Sequence, residues 1–411
     1  MNTQPLDLAA VRKEFPGLAS DWILMDNAGG SQVLKGVGEK CKEYLFETNV
    51  QHGASYQVSQ QAVERVSRAN QAMATFVNAT DTSEIIMGPS TSMLLRIFSW
   101  SLGELLQPGD EIIITNADHE ANISPWHALQ HKGIIIKEWQ VNRESWRMEL
   151  EDLTPLLTDQ TKWVMMTHSS NVLGVVNPVR EVADFVHALG VRICVDGVAY
   201  APHKLVDVQA LDVDVYVFSF YKVYGPHHAL MYGKKEILLQ LPGVNHSFIQ
   251  ETDIPYKFQP GNLNYELSYS TLGIYEYFLQ MAEKHHLADG ASAITQLRNI
   301  SDLMAEHEHQ LSSHLLGYLD SRPDVNIIGP SKADKDSRVP TISFIMGDSS
   351  SKEIVEKVDA HKIGIRYGDF YAKKLIQDLG LAKQQGVIRV SMVHYNSLEE
   401  VDRLIEVLEI L

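Results

Sequence analysis

From about residue 60 to 235 the chain alternates between two hydrophobic patterns. Short, nearly continuous apolar runs ("EIIMGPS", "DEIIITNADH", "GIIIKEWQV", "KWVMMTHSS", "VRICVDGVA" and "VDVYVFSFY") read as strands. Between them, "STSMLLRIFSWSLGELL", "EANISPWHALQHKG" and "PVREVADFVHALG" carry apolar residues at helical spacing. Strands that are apolar throughout are buried on both faces, so their alternation with helices predicts a mostly parallel sheet covered on each side. Several strands end in small, polar or acidic residues: Ser90, His119, Ser169–Asn171, Asp196 and Ser219. In open α/β sheets the carboxyl ends of strands line the ligand crevice, so these endings are expected to converge. Beyond "QPGNLNYELSYS" a helical region over roughly 270–318 leads to a smaller α+β unit. There "VNIIGP", "VPTISFIM" and "GVIRVSMVHYN" read as strands and "SSKEIVEKVDAH" as a helix. "SLEEVDRLIEVLEIL" closes the chain as a helix, with Ser397 as N-cap and Glu399 and Glu400 in its first turn.

Composition narrows the class of ligand. The 411 residues suffice for two domains, and 45% hydrophobic with 21% charged content is that of a globular chain. A formal charge of −17 argues against a nucleic-acid or anionic-membrane partner. Any anionic ligand must then be held by local features. The two cysteines, Cys41 on a polar helical segment and Cys194 inside "VRICVD", have no partners at metal-ligand spacing, so neither a disulfide framework nor a metal site is expected. "MNTQPLDLAAVRKEF" lacks the apolar core of a signal peptide, and no apolar run approaches the ~20 residues that span a bilayer. A cytosolic protein is expected.

The chemistry centres on "DVYVFSFYKVYGP", where Lys222 sits between aromatic residues at the mouth of a strand. A lysine held and partly desolvated there is suited to act as an amine nucleophile; the plainer reading is a side chain that snorkels from a strand end. Asp196 follows the buried strand "VRICV" directly, where pyridoxal phosphate needs a carboxylate beside its ring nitrogen; a turn aspartate is the alternative. Ser90-Thr91-Ser92 opens a helix after a strand, a place where hydroxyls and free N–H groups cradle phosphate or simply cap. Ser219 adds a further hydroxyl, His119 an aromatic face for a cofactor ring, and Asn171 a donor for a phenolate oxygen or a carboxylate.

With these residues in place, the sequence resembles the class V aminotransferase family of fold type I pyridoxal-phosphate enzymes, nearest the cysteine desulfurase and selenocysteine lyase branch. The likeness runs from "LMDNAGGSQ" to "RVSMVHYNSLEEVDRL", with "VDVQALDVDVYVFSFYKVYGP" its most specific part. It implies an α/β fold with a mostly parallel, seven-stranded-type sheet in a large domain and a smaller α+β C-terminal domain. The implied division is an N-terminal segment 1–20 joining the small domain, a cofactor-binding domain 21–285 and a C-terminal domain 286–411. By the resemblance Lys222 bonds the cofactor, Asp196 pairs with its ring nitrogen and His119 stacks on the ring. Ser90, Thr91, Ser219 and Tyr221 hold the phosphate, while Asn171 and Arg389 bind the substrate α-carboxylate. A homodimer is implied as well, with Asn264 and Tyr265 reaching the neighbour's phosphate.

Three departures from the family pattern matter. Desulfurases carry a persulfide-forming cysteine just after an R-x-G segment, which here reads "GIRYGDFYAKKL", with Tyr371 at the cysteine position. A phenol cannot form a persulfide, so a thiol-dependent route is not expected. Tyr371 is instead expected to line the substrate pocket with Tyr367 and Phe370. In "DGVAY", Ala199 stands where the family often has a glutamine that reaches the cofactor phenolate, so that contact is absent or supplied by Tyr200 or Asn171. Tyr221 replaces the histidine usual before the lysine. The expected activity is on an amino acid at Cα or Cβ, as transaminase, β-lyase (including C–S lyase) or epimerase. A conventional cysteine desulfurase is disfavoured by the missing thiol, and a catalytically silent interaction protein by the intact Lys222/Asp196/His119 set.

Overall fold

The computed structural model describes residues 5–411. The first four residues of the expected N-terminal segment lie outside the described residues. Seven strands build the central sheet: β2 Ile85–Gly88, β3 Glu111–Thr115, β4 Ile135–Trp139, β5 Thr161–Thr167, β6 Arg192–Asp196, β7 Val215–Ser219 and β8 Ala229–Gly233, after a short β1 at Ile23–Leu24. Their order is β2-β8-β7-β6-β5-β3-β4, and all are parallel except β8, which runs antiparallel to both neighbours. Residues alternate between the two faces at a period of two: Ile193 and Val195 of β6 join one apolar core and Cys194 the other, as do Tyr216 and Phe218 against Val215 and Val217 of β7.

Helices cover both faces. Gln57–Phe76 and Leu272–Lys284 bury Val66, Met73, Phe76, Tyr277 and Met281 against one face; Thr91–Leu102 buries Leu94, Leu95 and Phe98 against the other. The stretch read as helical from Glu120 is three short turns, Glu120–Asn122, Ser124–His127 and Ala128–Lys132, with a break at Ile123, two residues before Pro125. The region 270–318 is likewise two helices. Leu272–Lys284 ends at His286 with φ +56°, and Ala293–Ser321 starts anew from a Ser292 cap.

The C-terminal unit is a four-stranded antiparallel sheet in the order β12-β13-β10-β9, built from β9 Val325–Ile327, β10 Thr341–Met346, β12 Arg366–Gly368 and β13 Val387–Ser391. Helices Ser351–Asp359 and Leu398–Glu409 share its apolar core, and the second starts with a capping box between Ser397 and Glu400. The N-terminal stretch is stitched to this unit. Arg12 donates to the Tyr395 carbonyl and pairs with Glu400, and β1 runs parallel to β11 at Ile363–Gly364. No helix among the described residues is long and apolar enough to cross a membrane.

Candidate active site

Parallel strands deliver their carboxyl ends to one edge, and there the sequence-predicted residues meet. A pocket enclosing about 510 Å³ of empty space, mouth included, is lined by Ser90, Thr91, His119, Asn171, Asp196, Ser219, Tyr221 and Lys222. Ser92, Thr167, Ser169 and Ala199 complete its polar and small-residue wall. The turn after β6 can run this close to β7 because residue 197 is glycine: a Cβ there would lie 2.1 Å from the Tyr216 ring.

Lys222 closes a short turn after β7 and is only 6% exposed. Its Nζ forms no hydrogen bond or ion pair among the described residues. Burial lowers its pKa, Arg389 adds to that, and Asp196 and Asp26 oppose it. Asp196 terminates β6 and accepts the Val198 N–H at 2.9 Å; burial raises its pKa. His119 accepts the Ala121 N–H on Nδ1 at 3.0 Å, so its ring proton sits on Nε2. Burial, reinforced by Lys222 and Arg389, pushes the imidazole down to about 4, and it is uncharged at neutral pH.

The end of the pocket expected to take a phosphate is built of hydroxyls. Thr91 Oγ1 and Ser219 Oγ are 2.7 Å apart at the start of helix Thr91–Leu102, whose first N–H groups have no partner within the helix. Ser90 is placed there too, but its hydroxyl accepts from Met93 N at 3.2 Å as the N-cap. Tyr221 stacks on His227 with ring centroids 5.2 Å apart.

Asn171 and Tyr200 depart from expectation. Asn171 donates from Nδ2 to the Phe370 carbonyl at 2.9 Å, so it faces the pocket with an unpartnered, buried Oδ1 rather than with a donor. Tyr200 does not reach the pocket; it stacks on His168 at 3.5 Å. Arg389 lies behind the wall on β13, 1% exposed. Its Nη1 donates to the Asn171 carbonyl at 3.1 Å and its Nη2 to Asp26 Oδ1 at 3.0 Å, while the guanidinium covers the Phe370 ring at 3.7 Å. Asn264 and Tyr265, expected at a second copy's phosphate rather than at this chain's, lie outside this pocket: Asn264 caps helix Tyr265–Ser270 and Tyr265 stacks on His52 at 3.6 Å. Tyr371, 68% exposed, places its ring 5.3 Å from His119, and its carbonyl accepts the Glu120 N–H at 2.8 Å. Phe370 and Tyr371 both adopt left-handed φ, +52° and +60°.

Sequence reading missed two acids. Asp26 holds Arg389, and Asp118 is fully buried, receiving hydrogen bonds from Thr115 and from Asn122 Nδ2 at 2.8 Å. Burial and the neighbouring Asp196 charge raise the Asp118 pKa well above the usual range. Its signal, an acid following an apolar strand, was as plain as that of Asp196.

The residues present fit pyridoxal phosphate. Hydroxyls and helix N–H groups meet an anion, a carboxylate waits in the pocket, and an amine disposed to lose its proton stands between them. Two buried polar atoms on the wall, Ser169 Oγ and Asn171 Oδ1, have no protein partner among the described residues, as expected where a polar ligand completes them.

A profile of the aminotransferase class-V family matches residues 23–404. An aminotransferase-like protein of Gibberella zeae is 40% identical, covering 100% of this chain and 99% of its own. A cysteine desulfurase of Serratia proteamaculans is 30% identical over 96% of each chain. The solved cysteine desulfurase of Thermococcus onnurineus superposes with a TM-score of 0.84 at 25% identity, covering 100% of this chain and 98% of that one. The chain therefore belongs to the aminotransferase class-V family, as a cysteine desulfurase-like, pyridoxal-phosphate-dependent transferase or lyase of fold type I.

Proposed function

We propose that the protein acts at Cα or Cβ of an amino acid, as an aminotransferase, β-lyase or epimerase, with Lys222 as the residue bonded to the cofactor. One observation carries this: Lys222 Nζ, free of hydrogen bonds and ion pairs among the described residues, shares a buried pocket with Asp196 and the Thr91–Ser219 hydroxyl pair. Pyridoxal phosphate, when bound, supplies an electron-withdrawing ring that takes up the electron pair left at the substrate Cα. Asp196 holds a proton on the ring nitrogen. Thr91, Ser219, Tyr221 and the helix N–H groups take the phosphate, with Ser90 supporting them by capping. His119 offers an uncharged aromatic face. Lys222, its ammonium disfavoured by burial, provides the amine that accepts and returns the Cα proton. Arg389 supplies a guanidinium for the α-carboxylate, beside Asn171.

A persulfide route fits the residues poorly. It needs a thiolate near the substrate. Cys194 is fully buried in β6 and Cys41 stands on helix Lys35–Glu47; neither lines the pocket, and Tyr371 stands at its mouth.

The division into 1–20, 21–285 and 286–411 accords with this site, since the groups assigned to the cofactor in one chain fall within 90–222 and Arg389 and Tyr371 in the last part. A homodimer is part of the proposal. Asn264 and Tyr265 border concavities beside Met93, Trp100 and Tyr256, exposed apolar residues suited to burial by a second copy. A cytoplasmic, reducing location suits the two unpaired cysteines.

The holoenzyme is expected to absorb in the visible, and borohydride is expected to fix the cofactor on the peptide containing Lys222. A cofactor fixed on another lysine, or a visible band that survives in Lys222→Ala, would overturn the assignment. Screening amino acids for keto-acid, pyruvate or sulfide release then separates the reaction types.

A further inference from the structure

We propose that the Ser169 hydroxyl donates a hydrogen bond to the 3-oxygen of bound pyridoxal phosphate, a contact that Ala199 cannot make. This rests on the cofactor reading above. Ser169 is fully buried, lines the pocket, and its Oγ has no partner among the described residues. A hydroxyl enclosed in that way is costly without a partner, and a ligand group in the pocket it lines supplies one.

The sheet order says which group that is. β7 and β5 flank β6 on opposite sides. On the cofactor ring the phosphate arm and the 3-oxygen likewise sit on opposite flanks of the axis through the ring nitrogen. With the nitrogen at Asp196, where β6 ends, and the phosphate at Thr91 and Ser219, where β7 ends, the 3-oxygen faces the end of β5. Ser169 and Asn171 follow that strand.

The rival donors on this flank are occupied. Thr167 Oγ1 donates to the Ser169 carbonyl at 2.7 Å. Asn171 Nδ2 is held by the Phe370 carbonyl, and turning the amide over would set two acceptors face to face. Tyr200 is stacked on His168 away from the pocket, and Ala199 on the wall has no polar atom. Among the residues that end or follow β5, the Ser169 O–H is the side-chain donor that remains; His119, which follows β3, is assigned to the face of the ring.

A donor to the 3-oxygen stabilises its anionic form, so removing the donor makes the bound cofactor hold its proton to higher pH. In Ser169→Ala the midpoint of the pH-dependent change in visible absorbance is expected to rise by roughly one pH unit, and the cofactor dissociation constant about fivefold. Ser169→Cys, of similar size and a weaker donor, is expected to fall between. Adding Ala199→Gln to Ser169→Ala is expected to return the midpoint towards wild type by restoring a donor. An unmoved midpoint in both Ser169 variants, with the wild-type band present, overturns the proposal alone. A wild-type protein that gains no visible band with pyridoxal phosphate overturns the cofactor reading with it.

Discussion

Arg389 donates from Nη2 to Asp26 Oδ1 at 3.0 Å, joining residues 363 apart in the chain, so the guanidinium assigned to the substrate carboxylate already holds a carboxylate. Arg366 stands 3.5 Å from the other oxygen of Asp26. The Arg389 Nε is buried without a partner among the described residues, which leaves one edge of the fork for substrate. An incoming α-carboxylate meets Asp26 as a like charge. Asp26→Asn keeps the shape and removes that charge, and is expected to lower KM about fivefold with little change in kcat. A raised KM would show instead that Asp26 chiefly holds Arg389 in place.

Asp196→Asn tests the ring-nitrogen partner. The phosphate groups and Lys222 are untouched, so the cofactor is expected to stay bound and its visible band to persist. Turnover is expected to fall by several orders of magnitude, because a neutral amide does not hold the nitrogen protonated. Near-normal single-turnover rates would place the functional carboxylate elsewhere, with Asp118 the first alternative.

Buried histidines set the acid limit of the cofactor-free fold. Burial lowers His119 and His228 to about 4 and His168 and His394 to about 3, from 6.5. Between those values the unfolded chain binds more protons, so stability is full above pH 6.5 and falls as pH drops, by up to about 1.4 kcal/mol per pH unit for each group. Asp196 acts in the opposite sense over part of that range. Its raised pKa favours the folded state most below 3.8, and this contribution is lost as pH rises. Urea unfolding at pH 7.5 and 5 is expected to show a marked loss at pH 5 that shrinks in His394→Gln. Equal stability at both pH values would count against this.

The thiols are expected to be bystanders. Burial raises the pKa of Cys194 well above the usual range and that of Cys41 to a lesser degree, so neither forms thiolate readily at neutral pH. Iodoacetamide treatment of the folded holoenzyme is therefore expected to leave turnover unchanged, and mass spectrometry after incubation with cysteine to show no persulfide. A persulfide on either residue would return the protein to the desulfurases.

The residues legible in sequence were those that mark the ends of apolar strands. All six strands read between residues 60 and 235 are present; burial on both faces demands uninterrupted apolar runs in all but β4, a half-exposed edge strand. β8 was missed: Ala229–Gly233 is a five-residue run between histidines and lysines, too short for periodicity to classify. The helix read from Glu120 is not continuous because Pro125, accommodated in the first turn of Ser124–His127, cannot bond back to residue 121, and the chain breaks at Ile123. Asp26 was hidden for a different reason. Its role depends on Arg389, and nothing local to "LMDNAGG" records a partner at the far end of the chain. Ser169 was visible only as a polar strand ending; its missing partner is a property of the packed pocket.

The Asp26–Arg389 pair also orders events during synthesis. Every side chain assigned to the cofactor within one chain has been added once Lys222 is made, whereas Arg389 follows about 170 residues later, roughly 10–30 s at ordinary elongation rates. Asp26 is made before either and waits through that interval without its cation. For that time the growing polypeptide carries the groups assigned to pyridoxal phosphate and lacks the guanidinium assigned to the amino acid. A product truncated before Val387 would lack that guanidinium, and with it β13, which pairs with both β10 and β12.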